Sequence, residues 1–353
     1  MLDEDLSDST YVQCAIRRIT LTGLACLMLC CASANAATLV IDGAGDGHGV
    51  GMSQDGALGY AEHGWSYTAI LGHYYTGTTL GQAPANTVIK VLVGSKVKSV
   101  PLESYVRGVV SAEMSASWPM AALEAQAVAS RTYAITSDAG GSKFDVYSDD
   151  RSQVYLGKAA ETSSTNTAVA ATAGQIVTYA GQPAVTYFFA GSGGQTESVQ
   201  NAFLGASAEP WLVSVADPYE AGPLRRWSMT IGFASAAARL RGLVKGTFTG
   251  IEVLKRGVSP RIVSAEVLGS KGNSPISGPE LEARLGLYST WAYFSVKGTK
   301  GTHAEPDASG QSPAPTPIAQ PAQVGGTGGS AAAASAPSGK PAGVDGQGGV
   351  PAG

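Results

Sequence analysis

The sequence reads Pro101-Leu-Glu-Ser-Tyr-Val-Arg-Gly-Val-Val-Ser-Ala-Glu-Met114 over one segment, which places a carboxylate where a helix should carry an apolar side chain. As a helix, this segment aligns its apolar residues with the i, i+3, i+4, i+7 spacing of one buried face. That face consists of Leu102, Tyr105, Val106, Val109 and Val110. Glu113 comes next on it, roughly 20° from Leu102 at about 100° per residue. Glu103 falls on the opposite face, where solvent is expected.

A carboxyl group on a desolvated face resists ionisation. Its pKa rises because the charged form loses hydration, so the group can hold a proton near neutral pH, as a general acid must. Glu113 is therefore the candidate catalytic residue. The alternative is a helix that ends near Ser111 and leaves Glu113 exposed in the following turn.

A second helix is predicted directly after this segment. Ser117-Trp118-Pro119 is a helix-start signal, and no strong breaker follows until Gly140-Gly141. The intervening residues are small and apolar nearly all round, which is typical of a buried helix. Gln126 and Arg131 then need partners, because buried amide and guanidinium groups are costly without hydrogen bonds. They either build a polar network or line a cleft.

Both helical segments resemble one known family. V-P-L-E-S-Y-V-R-G-V-V-S-A-E-M followed by W-P-M-A-A-L-E-A-Q-A-V-A-S-R-T-Y-A is similar to the core signature of the SpoIID/LytB domain, found in bacterial peptidoglycan-active proteins. Residues 144–157 and 184–196 resemble the next two blocks of the family, and residues 211–215 and 285–291 resemble later ones. The resemblance covers most of the chain after its N-terminus.

A further block, residues 47–57 with 70–77, also resembles this family, although many members carry it after the catalytic signature. A block found at either end of a domain requires the two ends to lie close together. Its alternating glycines allow close approach of a backbone or ligand, beside the polar residues His48, Ser53 and Gln54. A dinucleotide loop is a weaker interpretation, because no G-x-G-x-x-G register fits. Ser53 is also a candidate cap for a helix closed by Gly64.

The resemblance implies that Glu113 is the acid of a lytic transglycosylase, which cleaves between N-acetylmuramic acid and N-acetylglucosamine and leaves a 1,6-anhydro end. Most glycoside hydrolases pair two carboxylates. Here one can suffice, because the 6-hydroxyl of the sugar is the nucleophile and the same glutamate can act as acid and then base. Assistance from Asp149 or Asp150 stays open. The alternative function is a non-catalytic wall-binding protein that enhances an autolytic amidase, as in the LytB branch.

Polar residues around the expected cleft are the candidates for holding the glycan. They are His48, Ser53, Gln54, Gln126, Arg131, Gln153, Tyr155, Ser192, Gly194 and Thr196. Gln153 and the loop 191–194 are the strongest, although Gly-Ser-Gly-Gly is also an ordinary turn. Arg131 is expected to pair with a carboxylate in preference to substrate.

No metal or cofactor is predicted. Some sporulation members carry Cys and His in the block equivalent to residues 144–157 and bind zinc there, whereas this block has neither. All four cysteines precede residue 32, so no thiol lies near a histidine at zinc-ligand spacing. His63 and His73 are expected to be packing or surface residues.

The N-terminus predicts export. Arg17-Arg18 precedes an apolar run at about 21–32, and Ala34-Asn-Ala36 suits signal peptidase, so residues 1–36 read as a signal peptide. The run is too short for a confident membrane anchor. Cleavage leaves 21 basic and 23 acidic residues and no cysteine, which does not indicate a nucleic acid or membrane partner. We expect a secreted, periplasmic or wall-associated protein whose partners are peptidoglycan strands and, for the alternative function, an amidase.

The expected architecture is α+β. Helices are predicted near 54–63, 67–75, 102–113, 119–138, 163–173 and 279–285, with strand pairs near 88–100, 176–189 and 251–268. Residues 37–298 form the expected SpoIID/LytB-like domain, in which 211–298 is a candidate subdomain. The Pro/Ala/Gly/Ser-rich tail 299–353 is too poor in large apolar residues to bury a core and is expected to be disordered.

Overall fold

The computed structural model describes residues 37–298, so the predicted signal peptide and tail lie outside the described residues. This part of the chain is α+β, with eight α-helices and five small sheets. The helices are α1 (Gln54–Glu62), α2 (Tyr67–Tyr74), α3 (Leu102–Glu113), α4 (Met120–Thr136), α5 (Ser163–Ala171), α6 (Val199–Ala202), α7 (Phe233–Arg239) and α8 (Gly278–Leu285). None of them has the length and apolar composition needed to cross a bilayer.

The strands are short, as in many α+β proteins. They are β1 (Thr38–Gly43), β2 (Met52–Ser53), β3 (Thr79–Gln82), β4 (Val88–Val93), β5 (Lys96–Pro101), β6 (Val146–Tyr147), β7 (Gln175–Tyr179), β8 (Gln182–Pro183), β9 (Phe188–Phe189), β10 (Trp227–Gly232), β11 (Phe248–Arg256), β12 (Ile262–Gly269), β13 (Ser274–Ser277) and β14 (Ala292–Lys297). Their sheet orders are β10-β1-β14, β11-β12-β13, β2-β9, β3-β7-β8 and β5-β4-β6.

Strand β1 joins the two ends of the described chain. It lies between β10 and β14, antiparallel to both, and Thr38 pairs with Lys297. The proximity of the two ends, expected from the displaced block, is therefore confirmed. Leu39 and Ile41 of β1 are buried in the same core as residues from 227–294. The candidate subdomain 211–298 thus packs together with a strand from residues 38–43.

The predicted helices around Glu113 are confirmed. The apolar face of α3 is buried against β4, α4 and α5, and α3 ends at Glu113 with Met114 in an extended conformation. Helix α4 is buried on most of its surface and packs against α1, α2, α3 and α5. Helix α4 therefore packs between α3, which ends at Glu113, and α1, which begins at Gln54.

Turn chemistry explains the hairpin at Ala180-Gly181, which lies within the predicted strand pair near 176–189. Both residues have positive φ, 49° and 77°, as a two-residue turn of type I′ between β7 and β8 requires. The elements absent from the sequence-based prediction are strands β1, β2, β3, β6, β10, β13 and β14 and helices α6 and α7. They are short segments whose apolar pattern does not separate strand from helix.

Candidate functional site

Glu113 is half-buried and is the last residue of α3. It is therefore neither fully desolvated on the apolar face nor fully exposed in the following turn, the two alternatives that the sequence leaves open. Its Oε1 accepts a hydrogen bond from the Val154 N–H at 2.7 Å, and its Oε2 accepts one from Gln54 Nε2 at 3.2 Å. Burial raises the pKa of this carboxyl, and the two hydrogen bonds oppose that rise because they favour the charged form. The carboxyl group is thus partly accessible, partly desolvated and hydrogen-bonded at both oxygens.

The loop after β6 presents the Val154 N–H to Glu113. The side chain of Gln153 is buried, and its Nε2 donates to the backbone carbonyl of Ser130 at 3.2 Å. Ser152 Oγ accepts from the N–H of Tyr147 at 3.1 Å. These bonds fix the loop on α4 and β6, so Gln153 positions the donor of Glu113 by anchoring its neighbour in the chain.

Gln126 belongs to a buried amide network. Its Nε2 donates to Ser130 Oγ at 2.9 Å, and its Oε1 lies 3.5 Å from Nε2 of Gln54. Because Gln126 is fully buried, it reaches Glu113 only through Gln54. Of the two expectations for Gln126, the polar network describes its place in the structure.

Arg131 is a structural residue. Its guanidinium is fully buried and makes two hydrogen bonds of 2.8 Å to the carboxylate of Glu103, and it also donates to the carbonyl of Gln175 at 3.0 Å. We therefore assign it to the packing of α4 against α3 and β7 and not to glycan contact. Glu103 is correspondingly not a free surface residue, because its Oε1 also accepts from the Gly174 N–H at 3.1 Å.

Tyr155 packs against α3 at Tyr105 and Gly108, two buried residues of that helix. Its ring stacks on that of Tyr105, with centroids 5.0 Å apart and planes inclined by 26°. Gly108 leaves the space for this contact, since a Cβ there would lie 2.6 Å from the Tyr155 ring. Tyr155 is half-buried, so one edge of the ring remains accessible beside the loop that carries Val154.

Ser53, Ser192, Gly194 and Thr196 lie in the protein interior or in turns. Ser53 Oγ caps α1 by accepting from the Gly56 N–H at 3.0 Å, as predicted. Ser192 Oγ accepts from the Gly194 N–H at 2.9 Å, and Thr196 Oγ1 accepts from the Val215 N–H at 2.8 Å. The three hydroxyls are buried and bonded to backbone, so we assign these residues to the scaffold and not to glycan contact.

His48 is held neutral among aromatic rings. Its Nδ1 accepts from the Val50 N–H at 3.0 Å, and its ring centroid lies 5.1 Å from that of Phe203 and 5.4 Å from that of Phe189. Burial lowers the pKa of His48 to about 4, and the positive charge of Arg261 adds to this effect. Near neutral pH the imidazole is therefore an uncharged ring packed among aromatic side chains.

An aromatic row was missed by the sequence analysis. Tyr133, Tyr187, Phe188 and Phe203 are half-buried. Their rings are neighbours in the order Phe188, Tyr133, Tyr187 and Phe203, with centroid separations of 5.0–6.4 Å. Strand pairing of Met52 with Phe188 places this row beside Gln54. Only its partial exposure marks it as a surface for a ligand, and the sequence carries no signal of that.

The predicted packing roles of His63 and His73 agree with their contacts. His63 stacks on Tyr219 with centroids 4.0 Å apart, and His73 Nε2 lies 2.9 Å from the hydroxyl of Tyr60. Across residues 37–298, no group of three or more His, Cys, Asp or Glu side chains is arranged to hold a metal ion.

A second polar group, missed by the sequence analysis, is the buried acid pair Asp217 and Glu220. Asp217 lies among the hydroxyls of Tyr74, Ser53 and Ser192, and burial raises its pKa to about 6 although the hydroxyls oppose the rise. Burial and the charge of Asp217 raise the pKa of Glu220 to about 7. The pair sits beneath the first turn of α1, where a Cβ at Gly56 would collide with Asp217.

This acid pair makes stability depend on pH. The folded protein binds more protons than the unfolded chain, so its stability is greatest below the unfolded pKa and falls as pH rises through the folded pKa. For Asp217, raised from 3.8 to about 6, the loss is about 3 kcal/mol between about pH 4 and about pH 8. Asp217→Asn should reduce this loss in urea unfolding curves measured across that range. Equal pH slopes for the folded variant and wild type would contradict the assignment.

Comparison with known proteins identifies the domain around Glu113. The family described as SpoIID, stage II sporulation protein, matches residues 94–179, which include Glu113 and Gln153 but not Gln54. An uncharacterized protein of Brachyspira hyodysenteriae is 37% identical over 187 residues, which are 52% of this chain and 48% of that protein. The chain thus spans about half the length of this relative.

Two Bacillus proteins are also similar. Stage II sporulation protein D of Bacillus amyloliquefaciens is 29% identical over 242 residues, covering 64% of this chain and 68% of the relative. The amidase enhancer of Bacillus subtilis is 34% identical over 125 residues, covering 35% of this chain and 16% of the relative. The segment that carries Glu113 and its supporting loop therefore matches the SpoIID family model, and the chain is similar to proteins named for that family.

Proposed function

We propose that the protein is an exported peptidoglycan lytic transglycosylase in which Glu113 acts as general acid and then as base. In this proposal residues 1–36 direct export, residues 37–298 form the catalytic domain and residues 299–353 form a tail. The enzyme is a lyase that acts on glycan strands in the cell wall and uses no cofactor.

The state of Glu113 carries the proposal. A general acid must hold a proton before reaction and release it during reaction, which requires a pKa between that of an exposed carboxyl and that of a fully buried one. Burial of Glu113 supports the protonated state, and the donors at both oxygens support the ionised state. Both states of the catalytic cycle are thereby accessible to one side chain.

The proposed reaction needs no water. Glu113 donates its proton to the glycosidic oxygen, the bond from C1 of N-acetylmuramic acid to that oxygen breaks, and the 6-hydroxyl oxygen of the same sugar bonds to C1. The proton of this hydroxyl passes to the carboxylate of Glu113, which restores the starting state. One product ends in 1,6-anhydro-N-acetylmuramic acid and the other in N-acetylglucosamine with a free 4-hydroxyl.

Asp149 is a poor second catalytic carboxylate. It is paired bidentately with Arg151, at 2.8 and 2.7 Å, and these bonds hold the pKa of Asp149 below its usual value. Its side chain is about half exposed, so it is neither desolvated nor free of a partner. We therefore assign the proton transfers to Glu113 and not to Asp149.

Sugar binding is assigned to the partly exposed surfaces near Glu113. Tyr155 and the aromatic row from Tyr133 to Phe203 are partly exposed aromatic side chains, and the tyrosines add hydroxyl groups; this combination suits the alternating apolar and hydroxyl-bearing surfaces of a glycan. Gln54 and Gln153 contribute indirectly. Gln54 donates a hydrogen bond to the Glu113 carboxylate, and Gln153 anchors the loop that carries Val154. His48 packs against Phe203 of the aromatic row.

Product analysis tests this function. The protein lacking residues 1–36, incubated with intact and with peptide-stripped peptidoglycan, is expected to release fragments ending in 1,6-anhydro-N-acetylmuramic acid, detected by mass spectrometry. Release from the stripped substrate alone would show that stem peptides must first be removed. Fragments with only reducing ends would indicate hydrolysis and contradict the proposal.

A non-catalytic function is the second candidate, favoured by the similarity to the amidase enhancer of Bacillus subtilis. In that case the cleft binds glycan and presents an amidase to the wall, and Glu113 is a structural residue of the groove. Stimulation of a purified cell-wall amidase, with no glycan fragment released by the protein alone, would support this second function.

A further inference from the structure

Gln54 stands between the acid and the buried amide network. It is the first residue of α1, its side chain is 8% exposed, and its Nε2 faces two acceptors, Oε2 of Glu113 at 3.2 Å and Oε1 of Gln126 at 3.5 Å. An amide in this position must direct its N–H groups at both atoms, since its own oxygen would repel an ionised carboxylate.

The buried residues Gln126 and Ser130 set the orientation of the Gln54 amide. Gln126 donates through Nε2 to Ser130 Oγ at 2.9 Å, which leaves its Oε1 directed at Gln54. Gln126 and Ser130 are fully buried on α4 and have little freedom to turn. The backbone of Gln54 is fixed as well, because Ser53 caps α1 and pairs with Phe189 across β2 and β9.

The two donors to Glu113 are unequal. The Val154 N–H is a backbone group at 2.7 Å on an anchored loop, so Oε1 remains an acceptor in both protonation states. Gln54 is a side chain at 3.2 Å, and its contact with Oε2 can weaken when that oxygen is protonated. The geometry therefore makes Oε2 the proton-carrying oxygen of Glu113.

We propose that Gln54 is a positioning residue for Glu113: its amide, oriented by Gln126 and Ser130, stabilises the carboxylate that forms on Oε2 when the proton leaves. This proposal rests on the proposed function of Glu113. A preorganised donor aimed at the atom where charge develops lowers the barrier, because it needs no reorganisation during reaction. Gln54 also lies outside the family-matched segment 94–179. In this proposal the block that precedes the segment therefore supplies one of the two hydrogen-bond donors of Glu113.

A titration of the Glu113 carboxyl tests the contact without reference to activity. NMR of protein carrying isotope-labelled glutamate, with the signal assigned by its loss in Glu113→Gln, gives the pKa of Glu113 directly. Gln54→Met retains the side-chain length but removes the donor, so the pKa of Glu113 is expected to rise. Ser130→Ala, which loosens the network, should move it in the same direction by less. Gln182→Met, at an exposed position of β8, is the matched control and should leave it unchanged.

Gln54→Asn is the second variant, since a shortened amide withdraws from Oε2 but stays polar; it should raise the same pKa if Gln54→Met fails to fold. An unchanged Glu113 pKa in either folded variant overturns the proposal. Glycan cleavage provides the second measurement: kcat should fall about 100-fold, the lower end of the effect of removing one preorganised donor. KM should change little, and the alkaline limb of the pH profile should move to higher pH.

A higher KM with an unchanged kcat in Gln54→Met would instead make Gln54 a glycan contact and would also overturn the proposal. The proposed enzymatic function and the proposed role of Gln54 can be refuted independently. If the wild-type protein cleaves no glycan, the proposed enzymatic function fails, while the titration still decides whether Gln54 controls the Glu113 proton.

Discussion

Glu113→Gln is expected to lose about two to four orders of magnitude of glycan-cleaving activity, the contribution typical of a general acid. The amide is nearly isosteric with the carboxyl and still accepts from the Val154 N–H through its oxygen, but it has no proton to give to the glycosidic oxygen. Binding of peptidoglycan should persist. The melting temperature should change little, because removal of a partly desolvated ionisable group is offset by an amide NH2 group that faces the Nε2 donor of Gln54. Release of anhydro-fragments over time measures the effect.

Glu62→Gln is the control for this variant. Glu62 is an exposed glutamate at the end of α1, the helix that begins with Gln54, and its replacement should leave activity unchanged. Glu103, on the same helix as Glu113, is unsuitable because it binds Arg131. If folded Glu113→Gln cleaves glycan at the wild-type rate, Glu113 is not the acid. If mutant and wild type are both inactive alone and stimulate an amidase equally, the enhancer function is correct.

Arg131→Met should destabilise the fold by about 3 kcal/mol, the lower end of the range for breaking a buried ion pair. The substitution retains the apolar length of the side chain but leaves the carbonyl of Gln175 without its donor and Glu103 without its partner. The side chain of Glu103 is 35% exposed and can regain water, which limits the loss. Urea unfolding followed by circular dichroism measures the change.

Arg284→Met provides the comparison for an exposed pair. Arg284 pairs with Glu280 one turn away on α8, and such pairs contribute about 0.3–0.5 kcal/mol. The Arg131 variant should thus lose several times more stability than the Arg284 variant. Wild-type stability of Arg131→Met combined with weaker glycan binding would show that Arg131 contacts substrate.

Local periodicity predicted where Glu113 lies on α3, whereas its role as an acid came from the family resemblance. The apolar face of α3 and the position of Glu113 on it follow from residues within four turns of one helix, so side-chain spacing was sufficient. The partners of Glu113 were not predictable in this way. Gln54 is 59 positions away in the chain and Val154 is 41 positions away, and only the packing of α1 and the β6 loop against α3 brings them together.

The same limit applies to the partners of other polar residues. Glu103 occupies the outer face of an isolated α3, but α4 and β7 bring Arg131 and the Gly174 N–H to it. Ser192 and Thr196 lie in a loop that resembles a family block, yet their hydroxyls turn inward to bond backbone. A polar residue in a glycine-rich loop indicates a hydrogen bond, and only the fold determines whether its partner is protein or ligand.

The central claim is that Glu113 promotes attack by the sugar's own 6-hydroxyl, and the most direct test is mass spectrometry of glycan fragments formed in water labelled with heavy oxygen. We expect wild-type protein to produce 1,6-anhydro-N-acetylmuramic acid ends that contain no label, and Glu113→Gln to produce almost none. Labelled reducing ends on N-acetylmuramic acid, formed by the wild type and lost in Glu113→Gln, would contradict the claim, because water and not the 6-hydroxyl would then be the nucleophile.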